Sequence, residues 1–561
     1  MLIDGGALGG PICPLDQLTA AGLAADPDAV AVASAAGTLT WTALEAAATT
    51  LATRYRALGL APGDRLASLM PNRVELVVHY LACFKAGLVA TPLNYRYTAR
   101  EIDHALAVSG ASAVVAHVER AADLAASGEV PKLPLGVVAF GEQEVGGDAP
   151  AAPAMPAAPA IGAAPAVPAA PAIGAAPPVP AAPALGAAHR LEDLLAGEPA
   201  PVTLAPPDPS APAAIFFTSG STGPAKGVTH SHETLRWMFA STVAALGVAA
   251  DDVCLPGSSM SHIGAFMFGL ASLSVGAPVV VARSVDAHEV LPLLRTWRPT
   301  ILTMLPAALT AIVRDHDVLP DDFGSLRICR AGADKVSSEL LAEFAALAGF
   351  QIDEGYGMTE VGLATLNPPA GVIKAGSIGR PVDGFRIAIR DDDHQLVAAG
   401  AVGRVWIEAR SRMLGYWEAP TATAEVVREG WLDSGDLASA DDDGYLWFFG
   451  RKKQIIVHDG SNISPLEVES ALMEHPDVAL AGVVGIHDAV HGENVRAYVT
   501  LRPGSPPCTS ADLIVFCRER VGYKAPEEVV FLDDMPLNPT GKIDRAGLKA
   551  LAEDHLHPHL A

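Results

Sequence analysis

Disulfide and zinc chemistry find little material in this chain. Its 561 residues hold six cysteines, Cys13, Cys83, Cys254, Cys329, Cys508 and Cys517, all far apart and none in a CxxC pair. That spacing excludes a zinc knuckle or a disulfide framework and fits a reducing compartment. Basic residues are scarce too: 38 Lys and Arg stand against 63 Asp and Glu, a formal net charge of −25. The balance argues against a nucleic-acid partner. Any anionic ligand must be held by local donors, because the overall field repels it. Long apolar runs are missing as well. The longest, from Ile263 to Ala282, is broken by Gly264, Gly269, Gly276 and Pro278, which predicts a buried helix and then a strand, with no transmembrane segment. The start, Met1-Leu2-Ile3-Asp4, lacks the basic opening of a signal peptide, and the end, His557-Pro558-His559-Leu560-Ala561, is not a peroxisomal address. The expectation is a cytoplasmic protein.

What is present is half hydrophobic and patterned as α/β. Thr42-Ala43-Leu44-Glu45 reads as a capping box for a helix ending at Gly59, and a strand is predicted from Arg65 to Met70. Asn72 reads as the cap of a helix reaching Gly87, then come a strand from Leu88 to Thr91, a helix opened by Thr98, and a strand from Ala113 to Ala116. Such alternation specifies a parallel sheet. From 147 to 188 a twelve-residue repeat of Pro, Ala and Gly offers too little side chain for a core, and it reads as a disordered, PPII-like insertion. Beyond Gly444 the composition shifts. Ser464-Pro465-Leu466-Glu467 predicts a helix start, and strands at 481–486, 497–501 and 529–532 with a helix at 511–521 suggest a small α+β unit.

The most informative run is Thr218-Ser219-Gly220-Ser221-Thr222-Gly223-Pro224-Ala225-Lys226-Gly227, which follows the apolar strand Ala213-Ala214-Ile215-Phe216-Phe217. Glycines let backbone N–H groups approach anionic oxygens, hydroxyls donate further hydrogen bonds, and Lys226 adds a charge, so the loop suits a polyphosphate. It is not a Walker loop, which needs Lys directly after the last Gly and Ser or Thr directly after that Lys. The plain alternative is a flexible surface loop.

This loop, Tyr356-Gly357-Met358-Thr359-Glu360, Ser434-Gly435-Asp436, Gly450-Arg451 and Asn538-Pro539-Thr540-Gly541-Lys542 occur in the order and spacing of the adenylate-forming superfamily, which includes acyl-CoA synthetases, luciferases and peptide-synthetase adenylation domains. From about Leu39 to Arg545 the chain resembles that superfamily. The resemblance implies a large N-terminal AMP-binding domain of layered sheets and helices, here 1–450, and a small mobile α+β C-terminal domain, here 451–561. It implies ATP, Mg²⁺ and, as co-substrate, CoA. By the family pattern, Thr218, Ser219, Gly220, Ser221, Thr222, Gly223 and Lys226 would grip the phosphates. Thr359 would bond the α-phosphate and Glu360 would hold Mg²⁺. Asp436 would take the ribose hydroxyls with Arg451 assisting. Gly332, Ala333 and Asp334 would form the adenine slot with Tyr356 and its neighbours Gly355, Gly357 and Met358. Asp334-Lys335 departs from the usual small residue or proline at that rim. Lys542 would bridge the carboxylate and ATP during adenylation, and Lys453 would be the hinge about which the small domain rotates for the thiol step. The plain alternative for Lys542 and Lys453 is an ordinary surface charge.

The same resemblance bears on the acid and its acceptor. In the stretch Ser259-Met260-Ser261-His262-Ile263-Gly264-Ala265 no acid is present to meet an amino group, so an amino-acid substrate is disfavoured. His262 resembles the gate beside the pantetheine tunnel, the alternative being a satisfied core histidine. Ile263, Gly264, Ala265, Met304, Leu305 and Gly355 would line an apolar pocket for a fatty or other hydrophobic acid. Gly460, in Asp459-Gly460-Ser461-Asn462, lies near the expected thiol channel. Glu527 and Glu528 stand where basic residues would help CoA dock, so a carrier protein remains the alternative acceptor. A homodimer is the oligomeric alternative, and a nucleotide-binding pseudoenzyme the alternative from another class.

Overall fold

The computed structural model describes residues 1–141, 189–218, 225–332, 336–367, 371–458, 461–488, 492–538 and 541–556. The Pro/Ala segment expected at 147–188 and the predicted site residues Ser219, Gly220, Ser221, Thr222, Gly223, Ala333, Asp334 and Gly460 lie outside these ranges.

Among the described residues the strands form four sheets. One has Arg65–Leu69 flanked in parallel by Val89–Pro92 and Ala113–His117, with Val137–Phe140 beyond, as the alternation predicts. Its other side carries Pro212–Thr218, which pairs antiparallel with Lys226–Ser231, and that strand pairs in turn with the short Gly415–Tyr416. The second sheet runs through Cys254–Gly257, Ile301–Met304, Ile328–Gly332 and Asp353–Met358 in parallel, then turns back antiparallel into Gly362–Leu366. A third is built on Phe385–Arg390, Gly403–Ala409, Trp431–Ala440 and Leu446–Arg451.

The helix Ile263–Ser274 explains how the two large sheets are held together. It is apolar on every side and therefore buried, as the broken apolar run predicts, with the strand Val279–Val280 after it. Phe266, fully buried, meets Tyr80 and Phe216 edge-on with ring centroids 5.0 Å apart in both cases. One cluster thus contains Phe216 and Val228 of one sheet, Ile301 and Ile328 of the other, and Phe266 between them. No described helix is long and apolar enough to cross a membrane.

The small sheet holds Ile456–His458, which was not expected, together with Val478–Asp488, Gly492–Leu501 and Glu528–Phe531, which contain or overlap the expected strands 481–486, 497–501 and 529–532, and it carries helices Pro465–Met473 and Ser510–Val521. It has its own core, including Ile456, Val468, Leu472, Val483, Val499 and Leu513.

Three caps differ from expectation. The first long helix is Trp41–Ala57 and is capped by Thr40, whose hydroxyl accepts from the Ala43 N–H at 3.2 Å. Glu45 is drawn away to Lys85, 2.7 Å distant. The next helix is Val74–Ala86, and Asn72 does not cap it. Its side chain instead donates to the Ser258 carbonyl and accepts from the Met260 N–H, both at 2.7 Å. Ser464 precedes Pro465–Met473 without a side-chain cap, because its hydroxyl donates to the Phe449 carbonyl. In each case a long-range partner outbids the local backbone. Thr98 does cap Ala99–Ser109, with Glu101 completing the box.

Candidate functional site

The end of the strand Asp353–Met358 is where the predicted residues converge. It turns through Thr359 and Glu360 into Gly362–Leu366, and the two strands close tightly. A Cβ on Gly357 would lie 2.4 Å from the Gly362 carbonyl oxygen, so only glycine permits this hairpin. The turn is pinned from behind. His230, fully buried, donates from Nε2 to the Thr359 carbonyl at 2.8 Å, and the Met413 N–H donates to the Glu360 carbonyl at 2.7 Å. Burial draws the His230 pKa down to about 4, so the ring is neutral at neutral pH.

Glu360 is 8% exposed. Its Oε1 accepts from the Tyr416 hydroxyl at 3.0 Å, and the Tyr416 ring lies 4.9 Å from the Lys226 ammonium. Burial raises the Glu360 carboxyl above its ordinary range, against the pull of its own backbone, Tyr416 and Arg451, while Asp436 adds to the rise. A divalent cation would reverse that shift. The residue therefore fits a Mg²⁺ ligand, a hard oxygen donor facing a cleft.

Asp436 comes from the strand Trp431–Ala440 and sits in register with Arg451 on the neighbouring strand Leu446–Arg451. Gly435, at φ 74°, takes the irregular step of that strand just before it, where the pairing with Gly403–Ala409 shifts register. The Tyr356 hydroxyl donates to Asp436 Oδ2 at 2.6 Å, and Arg451 Nε stands 3.4 Å from Oδ1, which is buried and makes no hydrogen bond. Burial raises this carboxyl too, with Arg451, Tyr356 and Lys542 opposing the rise and Asp433 reinforcing it. An unmet carboxylate oxygen in a cleft suits a ligand hydroxyl. The Tyr356 ring lies 5.9 Å from Phe448, leaving an aromatic wall beside that oxygen.

His262 precedes the helix Ile263–Ser274 and its Nε2 accepts from Asn94 Nδ2 at 3.1 Å. Burial, and then the charge of Lys542, lower its pKa to about 4. Lys542 closes a turn with Asn538: its N–H donates to Asn538 Oδ1 at 3.1 Å, and the Asn538 N–H donates to its carbonyl at 2.8 Å. Its charge acts on both His262 and Asp436, and it lines the same cleft.

One cleft of about 2000 Å³ is lined by Thr218, Lys226, His262, Gly355, Tyr356, Gly357, Met358, Thr359, Glu360, Asp436, Arg451, Lys453 and Lys542. Small-molecule pockets are usually about 300–1,000 Å³, so this one has room for more than one substrate. Gly332 pairs with Gly355 on the adjacent strand but does not line the cleft. Of the predicted acyl-pocket residues, Ile263, Gly264, Leu305 and Gly355 line it. Ala265 and Met304 do not; they are 1% and 3% exposed and pack in the core instead, Ala265 because the helix turns it inward. The acids at 527 and 528 prove to be locally engaged. Glu527 Oε2 accepts from the Val495 N–H at 2.6 Å, and Glu528 pairs with Arg496 at 2.6 Å.

Sequence reasoning missed Tyr416, His230, Asn94, Met267, Phe268 and Arg330. The first five had no local signal. Arg330 did have one, a charge in the apolar strand Ile328–Gly332.

The profile of the AMP-binding enzyme family matches residues 20–417, and that of the AMP-binding enzyme C-terminal domain matches 467–542. A fatty acid–[acyl-carrier-protein] ligase of Streptomyces coeruleorubidus is 32% identical over 537 residues, covering 93% of this chain and 93% of that protein. A feruloyl-CoA synthase of an Amycolatopsis species is 32% identical over 524 residues, covering 92% and 94%. Among solved structures, ATP-bound MatB from Rhodopseudomonas palustris superposes with a TM-score of 0.82 at 26% identity, covering 97% of this chain and 100% of that one. The chain belongs to the AMP-binding enzyme family, and so to the adenylate-forming superfamily.

Proposed function

We propose that the protein activates a carboxylic acid with a hydrophobic body, using ATP, and passes the acyl group to CoA. The acid's oxygen attacks the α-phosphorus, the bond to the β-phosphate oxygen breaks, and pyrophosphate leaves. The thiol sulfur then attacks the acyl carbon, and the bond to AMP breaks. The observation that carries this reading is that Lys542, from the tail, faces the same cleft as Thr359, Glu360, Asp436 and Arg451.

Positioning and charge neutralisation do most of the work in such a phosphoryl displacement. The Thr359 hydroxyl would orient the α-phosphate on a turn fixed by His230. Glu360 would hold Mg²⁺, which when bound neutralises charge on the phosphates. Asp436 Oδ1 would accept a ribose hydroxyl, and Tyr356 would lie against the base. Lys226 and the loop before it would bind the leaving phosphates. Lys542 would hold the carboxylate against ATP, then leave as the small domain turns about Lys453 and brings the thiol toward neutral His262. CoA is favoured as acceptor. Glu527 and Glu528, engaged by the Val495 N–H and by Arg496, present less bare charge to a nucleotide than their sequence suggests.

Lys542→Ala tests this. ATP–pyrophosphate exchange should fall by about a hundredfold or more, the scale of losing one positioned charge at a reacting centre. Conversion of supplied acyl-AMP to thioester should persist. Equal loss of both halves would refute the role given to Lys542. AMP release that depends on a phosphopantetheinylated carrier protein and not on CoA would transfer the reading to a carrier-protein ligase.

A further inference from the structure

Arg330 is an exception to the rule that buried charges are paired. It is 8% exposed and stands between Cys329 and Ala331, both fully buried. Among the described residues its one hydrogen bond runs from Nη2 to the Gly355 carbonyl at 3.3 Å, and its Nε is buried without a partner. Its Cζ lies 5.2 Å from the centre of the Phe268 ring. Among the described residues no carboxylate pairs with it. Asp353, its register partner on the neighbouring strand, does not, and burial has pushed that carboxyl up to about 7. Burial pulls the Arg330 pKa down to about 10. Desolvating a guanidinium in this way is costly unless something completes it.

The surroundings are arranged to keep the group in place. A Cβ on Gly332 would come within 2.6 Å of Arg330 Nη2 and 2.9 Å of Cζ, so glycine there leaves space for the planar head. Arg330 lines the cleft and faces the Phe268 ring, and the apolar Gly264, Met267 and Leu305 line the same cleft. A guanidinium presents a fork of donors matched to a carboxylate. In a chain of net charge −25, an anionic group reaches such a pocket only where a local cation receives it.

We propose that Arg330 sets the acid specificity, and that the substrate is a dicarboxylic acid whose second carboxylate, beyond an apolar body, is received by this guanidinium. The inference rests on the ligase reading above and names the substrate class of the same pocket. One carboxylate of the acid is presented to Lys542 and becomes the acyl-AMP. The other stays ionised against Arg330 and is not activated. The arrangement rejects simple fatty acids because they leave the cation unmet.

The test uses the full-length enzyme with ATP, Mg²⁺ and CoA, and acids matched for length: hexanoate with adipate, octanoate with suberate, benzoate with terephthalate. The best diacid is expected to exceed its monoacid counterpart in kcat/KM by about tenfold or more. Arg330→Met should cut kcat/KM for that diacid by about a hundredfold while leaving the monoacid within about threefold. A wild-type preference for the monoacid in every pair overturns the proposal and leaves the ligase reading intact. So does an Arg330→Met protein that loses both acids alike with unchanged Tm. The wild-type comparison needs no variant, so it decides the matter even if Arg330→Met fails to fold. Absence of pyrophosphate exchange with either class would overturn the ligase reading underneath.

Discussion

Burial of histidines couples this protein's stability to acid. His79 is drawn down to a pKa of about 3, and His230, His232 and His262 to about 4, in every case chiefly by burial. The unfolded chain takes up these protons near pH 6.5 and the folded one refuses them until about pH 4, so stability is full above 6.5 and falls as pH drops below it. Between pH 6.5 and 5 each such group costs about 2 kcal/mol. His79 tests this away from the site, since its Nδ1 meets the Tyr55 hydroxyl at 3.0 Å inside the core. In His79→Gln, the drop in urea midpoint from pH 7 to pH 5 should shrink; an unchanged drop would contradict the assignment. At this scale the motif residues Tyr356, Glu360, Asp436 and Lys542 were legible because each occupies a short fixed pattern. Tyr416 and His230 were not, because they reach Glu360 and Thr359 only through folding.

The hairpin of Asp353–Met358 and Gly362–Leu366 is the element that positions Thr359 and Glu360. Gly357→Ala would push a methyl against the Gly362 carbonyl, where neither backbone can yield without moving Thr359 and Glu360. The expected cost is about 1–3 kcal/mol in stability, together with at least a tenfold loss of pyrophosphate exchange; thermal unfolding and the exchange assay read the two. Wild-type exchange in this variant would show that the turn tolerates displacement. Elements themselves were largely readable from periodicity, as in Arg65–Leu69, Ala113–His117 and Ser510–Val521. Caps were less so. Thr42, Asn72 and Ser464 all carry the right side chain at a plausible boundary, but cap formation is a competition, and the winners for Asn72 and Ser464 lie 186 and 15 residues away.

For the whole molecule, the prediction concerns the junction. Lys453 lies in the single turn Lys452–Gln454, between the sheet that carries Asp436 and the small sheet that leads to Lys542. Lys453→Pro fixes φ there and should hold the small domain in one orientation. Pyrophosphate exchange should stay within about threefold of wild type while thioester formation from acyl-AMP falls by about a hundredfold, the converse of Lys542→Ala. If both halves survive in the proline variant, rotation about this point is not required.

By itself the sequence determined the family of the chain and the order of its motifs. Glycines, hydroxyls and acids at fixed spacing act through the backbone beside them, and that relation survives without knowledge of the fold. Only the tertiary structure decided which buried charges stay unmet, because whether Arg330 has a counter-ion, or Asp436 a second donor, depends on neighbours that the chain brings from other strands. Whether a buried charge finds a partner is therefore a property of packing, not of motif.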